Sequence, residues 1–509
     1  MLRGPLLTIV VSSLCALGCG ASARSNAGGP DSGVPPAASL SVSPTSQRVV
    51  AGSSAVTLRA TLVGASVPIT WTLSGPGTLG ASSGEQTTYT PPATTAAEAA
   101  VTVSASAGPQ LRASVSITVV PSAELVVAGR VVGVLGNGLA GATVAIAGRT
   151  AVTDADGRFS ISGVTPPYDL AIVSPGNPPM AGLYRGLTRP DPTLVFLFFI
   201  TPGDANTGVV SGRISGGDPI PSDGELTGAV FASPEATGGT IVGSRDYSLP
   251  LFWFGPTTTI GTVHVLQWKS PGVGRLPTSY IGFGTVTAVR VIDDQTAADA
   301  SVLLYDPGTA SISGQVIAPA GATVTSKALA LKFADHAILP LGADITGDTR
   351  FSFPVPANLT HTAVVTALAE FPAGAQSFRR ESGIARRATD VSIAIPGSVE
   401  PSTPADGSTE VSTSTEFAWG QLAGGVHLAV FNGAASTPSY YVVTAETSTR
   451  IPDLTALGAA LPPASRYSWF VVRYAPFASV DEYTGIGFLV PPVGSFEGSI
   501  SATRGFTTR

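Results

Sequence analysis

Apolar and polar residues alternate along most of this chain in short runs and do not recur with a helical period. Leu40-Ser41-Val42 and Val101-Thr102-Val103 show the alternation, and turn clusters such as Ser74-Gly75-Pro76-Gly77 interrupt it. A two-residue period marks half-buried strands, because successive side chains point to opposite faces of a sheet. The stretch 39–121 is therefore expected to be a β-sandwich. A second pattern starts at Ala128-Gly129-Arg130-Val131 and restarts at Ser211-Gly212-Arg213-Ile214 and Ser313-Gly314-Gln315-Val316. Each start is followed by an aromatic-Ser-apolar triplet: Phe159-Ser160-Ile161, Tyr247-Ser248-Leu249 and Phe351-Ser352-Phe353. Each copy closes on an apolar run, Leu194–Ile200, Val302–Tyr305 and Val391–Ile395. Such self-similarity predicts a repeated unit, at 124–202, 208–308 and 310–397. Residues 401–491 change character, with Phe417-Ala418-Trp419, Tyr440-Tyr441-Val442-Val443 and Tyr467-Ser468-Trp469-Phe470. The predicted fold class is all-β, a series of sandwich modules, with 492–509 left as an unassigned tail.

The N-terminus breaks the pattern. Met1–Gly18 carries Arg3 and then an apolar run from Leu6 to Leu17. A bilayer-spanning helix takes roughly 20 apolar residues, so this shorter run reads as a secretory signal. Ala16-Leu17-Gly18-Cys19 resembles a bacterial lipobox, although Ala16 stands where that pattern prefers Leu. The resemblance implies that Cys19 is lipidated and becomes the first residue after cleavage, with the membrane as partner and the cell envelope, outer membrane favoured, as location. Ala21-Ser22-Ala23 offers a competing cut that would release a soluble chain. Residues 19–38 are rich in Gly, Ser and Pro and suit a flexible tether.

Three modules resemble known families. Ser43-Pro44, Ile69-Thr70-Trp71-Thr72 and Thr87-Thr88-Tyr89-Thr90-Pro91-Pro92 resemble a bacterial immunoglobulin-like domain. That implies a buried strand tryptophan between two sheets, for which Trp71 is the candidate. Gly129-Arg130-Val131, Leu139-Ala140-Gly141-Ala142-Thr143-Val144 and Thr153-Asp154-Ala155-Asp156-Gly157-Arg158-Phe159 resemble the carboxypeptidase regulatory-like domain, a transthyretin-like sandwich. The resemblance implies an accessory module without catalytic residues. Leu461-Pro462-Pro463 feeding the strand around Trp469 resembles the late strands of a fibronectin type III sandwich.

Composition narrows the function. Charged residues are 12% of the chain, against roughly 25% in ordinary soluble domains. With a net charge of −6 there is no footprint for a nucleic-acid partner. Arg379, Arg380, Arg386 and Arg387 cluster, either in a solvated loop or against an anionic partner. Both cysteines, Cys15 and Cys19, lie in the leader, so the body has no disulfide framework or thiolate nucleophile.

The four histidines, His264, His336, His361 and His427, are far apart and form no zinc spacing. Gly136, Gly138 and Gly141 spell G-x-G-x-x-G, yet the alternating strand Ala142–Ile146 follows where a nucleotide site needs a helix. Asp154 and Asp156 suggest a calcium loop. In the best register, however, Val152 and Gly163 stand where acidic ligands belong, so the stretch reads as a turn. No metal or cofactor is expected. Phe252, Trp253 and Phe254, with Trp268 and Tyr280, either form an exposed binding surface or fill the core of the second unit.

The expected function is a non-catalytic, lipid-anchored envelope protein, a rod of modules for adhesion or assembly, with envelope proteins or polysaccharide as partners. The alternatives are a carbohydrate- or matrix-binding accessory to an enzyme, and a hydrolase whose site is not local in sequence.

Overall fold

Trp71 sits between two four-stranded sheets and is 3% exposed. In the computed structural model the described residues are 39–509, apart from 45, 64–66, 134–135, 198–204, 235, 335–336, 421, 423, 435, 478 and 487–493. The leader, Cys19, the tether, the cut near Ala23 and His336 thus lie outside the described residues. In the N-terminal sandwich the Trp71 indole donates to the Gly84 carbonyl at 2.8 Å, and the Tyr89 hydroxyl donates to that of Pro76 at 2.7 Å. Both rings are satisfied within one core that includes Val103, Val115 and Ile117.

The next three stretches share one strand plan. In the first, Leu125–Gly133 is the central strand of three, antiparallel to Arg158–Val164 and parallel to Thr193–Phe196. Its second sheet runs Arg149–Val152, Thr143–Ile146, Tyr168–Val173, Met180–Leu187. In the second unit Asn206–Gly216 is central, antiparallel to Asp246–Trp253 and parallel to Gln295–Ala297 and Val302–Leu304. In the third Thr309–Ile317 lies between Arg350–Pro356 and Val391–Ala394 in the same senses. Their second sheets follow the same order, ending on Ser279–Ile292 and on Gln376–Ile384.

The recurring triplet has a packing cause. Phe159 faces Gly129 across the strands, Tyr247 faces Gly212, and Phe351 faces Gly314. A Cβ on Gly314 would stand 2.0 Å from the Val391 carbonyl oxygen and 2.9 Å from Phe351 Cζ. On Gly212 it would meet the Ala300 oxygen at 2.3 Å, and on Gly129 the Pro192 oxygen at 2.6 Å. The chain entering the closing strand crosses each glycine, and in the first and third units the facing ring also fills the space a side chain would need.

The C-terminal unit puts Pro401–Thr403, Phe417–Trp419 and Ser448–Thr449 in one sheet. The other runs Ser439–Thr444, Val426–Gly433, Arg466–Ala475 and Arg504–Thr508. The expected tail at 492–509 is, from 494 onward, part of the fold. Arg504–Thr508 is an integral strand of the sandwich, and Phe496–Ile500 is a further strand placed before it. An inserted helix, Val480–Ile486, separates these strands from Arg466–Ala475 and hides the continuation in the sequence pattern. No helix among the described residues is long and apolar enough to cross a membrane.

Modules distant in the chain are neighbours in space, so a rod in chain order is not what forms. Met180–Leu187 of the first unit pairs in parallel with Ser439–Thr444 of the C-terminal unit. Gln376–Ile384 of the third unit pairs with Phe496–Ile500, which also pairs with Arg466–Ala475. One 14-stranded sheet results, spanning the first, C-terminal and third units. An open strand edge offers unpaired backbone groups, and here the C-terminal unit covers two equivalent edges. The second unit blunts that edge itself. Phe283 and Tyr305 exchange backbone hydrogen bonds at 2.8 and 2.9 Å, and a bulge carries Ala288 at φ 58°.

Candidate functional site: the junctions between modules

Period-two alternation decides where the aromatic group goes. Along Asp246–Trp253 every second side chain is buried, which leaves Phe252 53% exposed and Trp253 1% exposed. The Trp253 indole donates to the Pro256 carbonyl at 2.7 Å, and its ring packs with Leu249, Val263 and Val291. Phe254 is half-buried beyond the strand end.

Trp268 and Tyr280 face each other on adjacent strands and are buried against the third unit, in one core with Leu329, Leu331 and Phe353. The Tyr280 hydroxyl donates to the Pro354 carbonyl of that unit at 2.9 Å, and burial pushes its phenol well above the ordinary value. Trp253, Trp268 and Tyr280 are therefore not displayed, and of the group Phe252 alone is exposed. Trp253 fills one core, and Trp268 with Tyr280 joins two units. The strand alternation was legible in the sequence; the partner unit was not.

The Asp154 carboxylate is committed to the backbone. Its Oδ1 accepts the N–H of Asp156 at 3.0 Å and of Arg158 at 2.8 Å, closing the turn into the strand that carries Phe159. Gly157 at φ 77° lies against the Val131 carbonyl, where a side chain has no room.

The basic cluster divides. Arg379 and Arg380 belong to Gln376–Ile384, Arg386 donates to the Leu359 carbonyl at 2.6 Å, and Arg387 is exposed in a turn. The expectation of one solvated loop fails for the first two, because that strand is covered by Phe496–Ile500.

The described histidines stay in separate surroundings. His264 stacks on Phe333 with centroids 4.2 Å apart. Burial pushes His361 and His427 down to about 4, with the charges of Arg386 and Arg473 respectively adding to the effect. Among the described residues no group of three His, Cys, Asp or Glu side chains could hold a metal ion. A cleft of about 400 Å³ lies between Ala145–Thr150 and the turn Thr455–Leu457. Its two carboxylates already have partners. Asp453 accepts from the N–H and hydroxyl of Thr455 at 3.1 and 2.7 Å, and Asp169 accepts from the Gly186 N–H at 2.9 Å.

Polar and aromatic groups converge instead where modules meet. Tyr184 of the first unit and Tyr441 of the C-terminal unit both donate to the Val195 carbonyl, at 2.7 and 3.2 Å. Burial holds both phenols above their ordinary value. On the inserted helix, the Asp481 carboxylate accepts the Thr188 N–H at 2.9 Å, the Thr188 hydroxyl at 2.6 Å and the Arg189 N–H at 3.1 Å. Glu482, beside it, accepts from Ser46 of the N-terminal sandwich. Glu497 accepts from Arg379 of the third unit at 2.9 Å and from Arg473 at 3.0 Å. None of these junction roles carries a sequence motif, since each joint includes a partner from another module.

No protein-family model matches the chain, and no curated protein matches it. Among solved structures, the Bacillus anthracis TIE protein overlays 72% of this chain and 75% of its own, at 7% identity and a TM-score of 0.15. A tetra-tandem repeat from the extending region of a large adhesion protein overlays 93% of this chain and 100% of its own, at 10% identity and a TM-score of 0.14. The major pilin subunit of Bacillus cereus overlays 53% and 99%, at 11% identity and a TM-score of 0.12. Overlays at these scores carry no weight for the fold, which rests on the chain's own strand pairing: an all-β protein of several sandwich modules.

Proposed function

We propose that this chain is a non-catalytic envelope scaffold, tethered through lipidated Cys19, whose β-modules form one assembled body for adhesion or surface assembly. One observation carries the reading. The side chains with chemical potential, among them Tyr184, Tyr441, Asp481, Arg473 and Glu497, are consumed as joints between modules. An enzyme needs such groups converging on space a substrate can enter. The low charge and the serial sandwich modules support the same reading, and the lipobox-like Ala16–Cys19 supports the anchor. Against the glycan-binding alternative, three of its candidate anchors, Trp253, Trp268 and Tyr280, are 1%, 1% and 5% exposed.

Metabolic labelling with radioactive palmitate tests the anchor. Label is expected in the wild type and not in Cys19→Ser, which should leave the membrane fraction. Equal labelling of both overturns the anchor. For the scaffold, cells carrying the wild type are expected to bind surfaces or one another more than cells carrying Cys19→Ser; equal behaviour overturns that role.

A further inference from the structure

The five sandwiches are not joined alike. The first and C-terminal units share one apolar core, in which Val144, Leu170 and Tyr184 meet Leu428, Tyr441 and Val443. The second and third share another, built on Leu266, Trp268, Tyr280, Leu329 and Phe353. Among the described residues the third unit enters the first of these cores only through Phe378, with Leu368 partly buried against it, so two halves result. Where they meet, the junction is of a different kind. Phe496–Ile500 lies between Gln376–Arg380 of one half and Val472–Ala475 of the other, hydrogen-bonded to both.

Around that strand the chain concentrates charges it otherwise uses sparingly. Glu497 bridges Arg379 and Arg473, Arg379 also pairs with Glu381 at 3.2 Å, and Ser495 donates to Glu381 at 2.6 Å. Arg380, 4% exposed, lies over the Phe496 ring at 5.7 Å. The apolar component is centred on one aromatic pair, Phe378 and Phe496, with centroids 5.6 Å apart. Polar interfaces within a chain behave like transient complexes, whereas large apolar ones hold permanently.

We propose that Phe496–Ile500 is a releasable clasp: its pairing to Gln376–Arg380 opens while both halves stay folded, converting the body into a longer array. The connectivity allows this without unfolding a sandwich. The chain returns from the second half to the first through 395–400, which holds no strand. Glu497 is the keystone, since one carboxylate serves arginines from both halves. This device is independent of the lipid anchor.

The test uses the full chain in solution. Glu497→Ala is expected to keep the β-sheet circular dichroism of the wild type while its radius of gyration in small-angle X-ray scattering rises by several ångströms. Adding Ser377→Cys and Ser499→Cys, which are register partners across the junction, should return the radius to the wild-type value when oxidised and release it again on reduction. Facing residues in an antiparallel pair stand at a Cα separation a disulfide can bridge. Wild type is treated identically, because Cys15 and Cys19 are the chain's own thiols. A wild-type radius in Glu497→Ala with intact sheet signal overturns the clasp. Should Glu497→Ala lose its sheet signal, single-molecule pulling decides. An early extension step in wild type that is absent from the oxidised double-cysteine chain supports the clasp; no such step in wild type overturns it.

Discussion

Tyr184 and Tyr441 meet edge to face, with centroids 5.9 Å apart at 89°, and both hydroxyls donate to the carbonyl of Val195. One carbonyl thus receives a proton donor from each of two modules. Tyr441→Phe leaves Tyr184 on that carbonyl and should cost only about 0.5–1.5 kcal/mol. Tyr441→Ala empties a fully buried site shared with Phe196 and should cost about 3–5 kcal/mol. Chemical denaturation followed by tyrosine fluorescence checks the ratio of the two.

The glycine that faces the aromatic ring in each repeat is a steric requirement. Gly314→Ala drives a Cβ into the Val391 carbonyl and should destabilise by about 2–3 kcal/mol or more. Gly243→Ala, where nothing lies within 4 Å, is expected to be neutral or slightly stabilising. Thermal melts of the two variants should move in clearly different ways.

Two buried tryptophans should respond differently to loss of the indole N–H. Trp253→Phe gives up the bond to Pro256, whose carbonyl keeps the Asn206 amide at 3.1 Å, adding about 0.5–1.5 kcal/mol to the cavity cost. The Trp268 indole nitrogen has no hydrogen-bond partner among the described residues, so Trp268→Phe removes an orphan donor along with the volume. The Trp268 variant should therefore be the milder of the two in denaturant midpoint.

His427 makes the C-terminal unit acid-sensitive. Its folded value is about 4 against 6.5 when exposed, because burial and the nearby Arg473 disfavour the imidazolium. Between those values the unfolded chain binds the extra proton, so stability is full above 6.5 and falls as pH drops toward 4. The loss amounts to about 3 kcal/mol. His427→Phe keeps a ring beside Trp419 and should flatten the dependence of melting temperature on pH within that window.

Asp154→Asn keeps an oxygen acceptor for the N–H groups of Asp156 and Arg158, and should melt close to wild type. Asp154→Ala leaves both exposed donors to water and should cost about 0.5–1.5 kcal/mol. Millimolar calcium is expected to shift the melting temperature of neither wild type nor Asp154→Asn. A calcium-dependent rise confined to wild type would show a ligand set where this reading has a turn.

Local pattern alone announced much of this protein. Alternation marked the strands, the Gly-Arg-Val starts and aromatic-Ser triplets marked a repeated unit, and Asp154-Ala155-Asp156-Gly157 marked a turn, which joins strands of two different sheets and not a hairpin. These are short-range consequences of side-chain period and backbone allowance, so they are written in adjacent residues. Which edge meets which module is not. Nothing near Ser439–Thr444 says that it will extend the sheet of Met180–Leu187, and nothing near Glu497 names Arg379. Those choices depend on which backbone edges remain open once each sandwich has closed, and the second unit closes its own with Tyr305. The sequence determined the modules; the tertiary structure decided that Trp268 and Tyr280 join two of them and that the C-terminal unit sits between its neighbours.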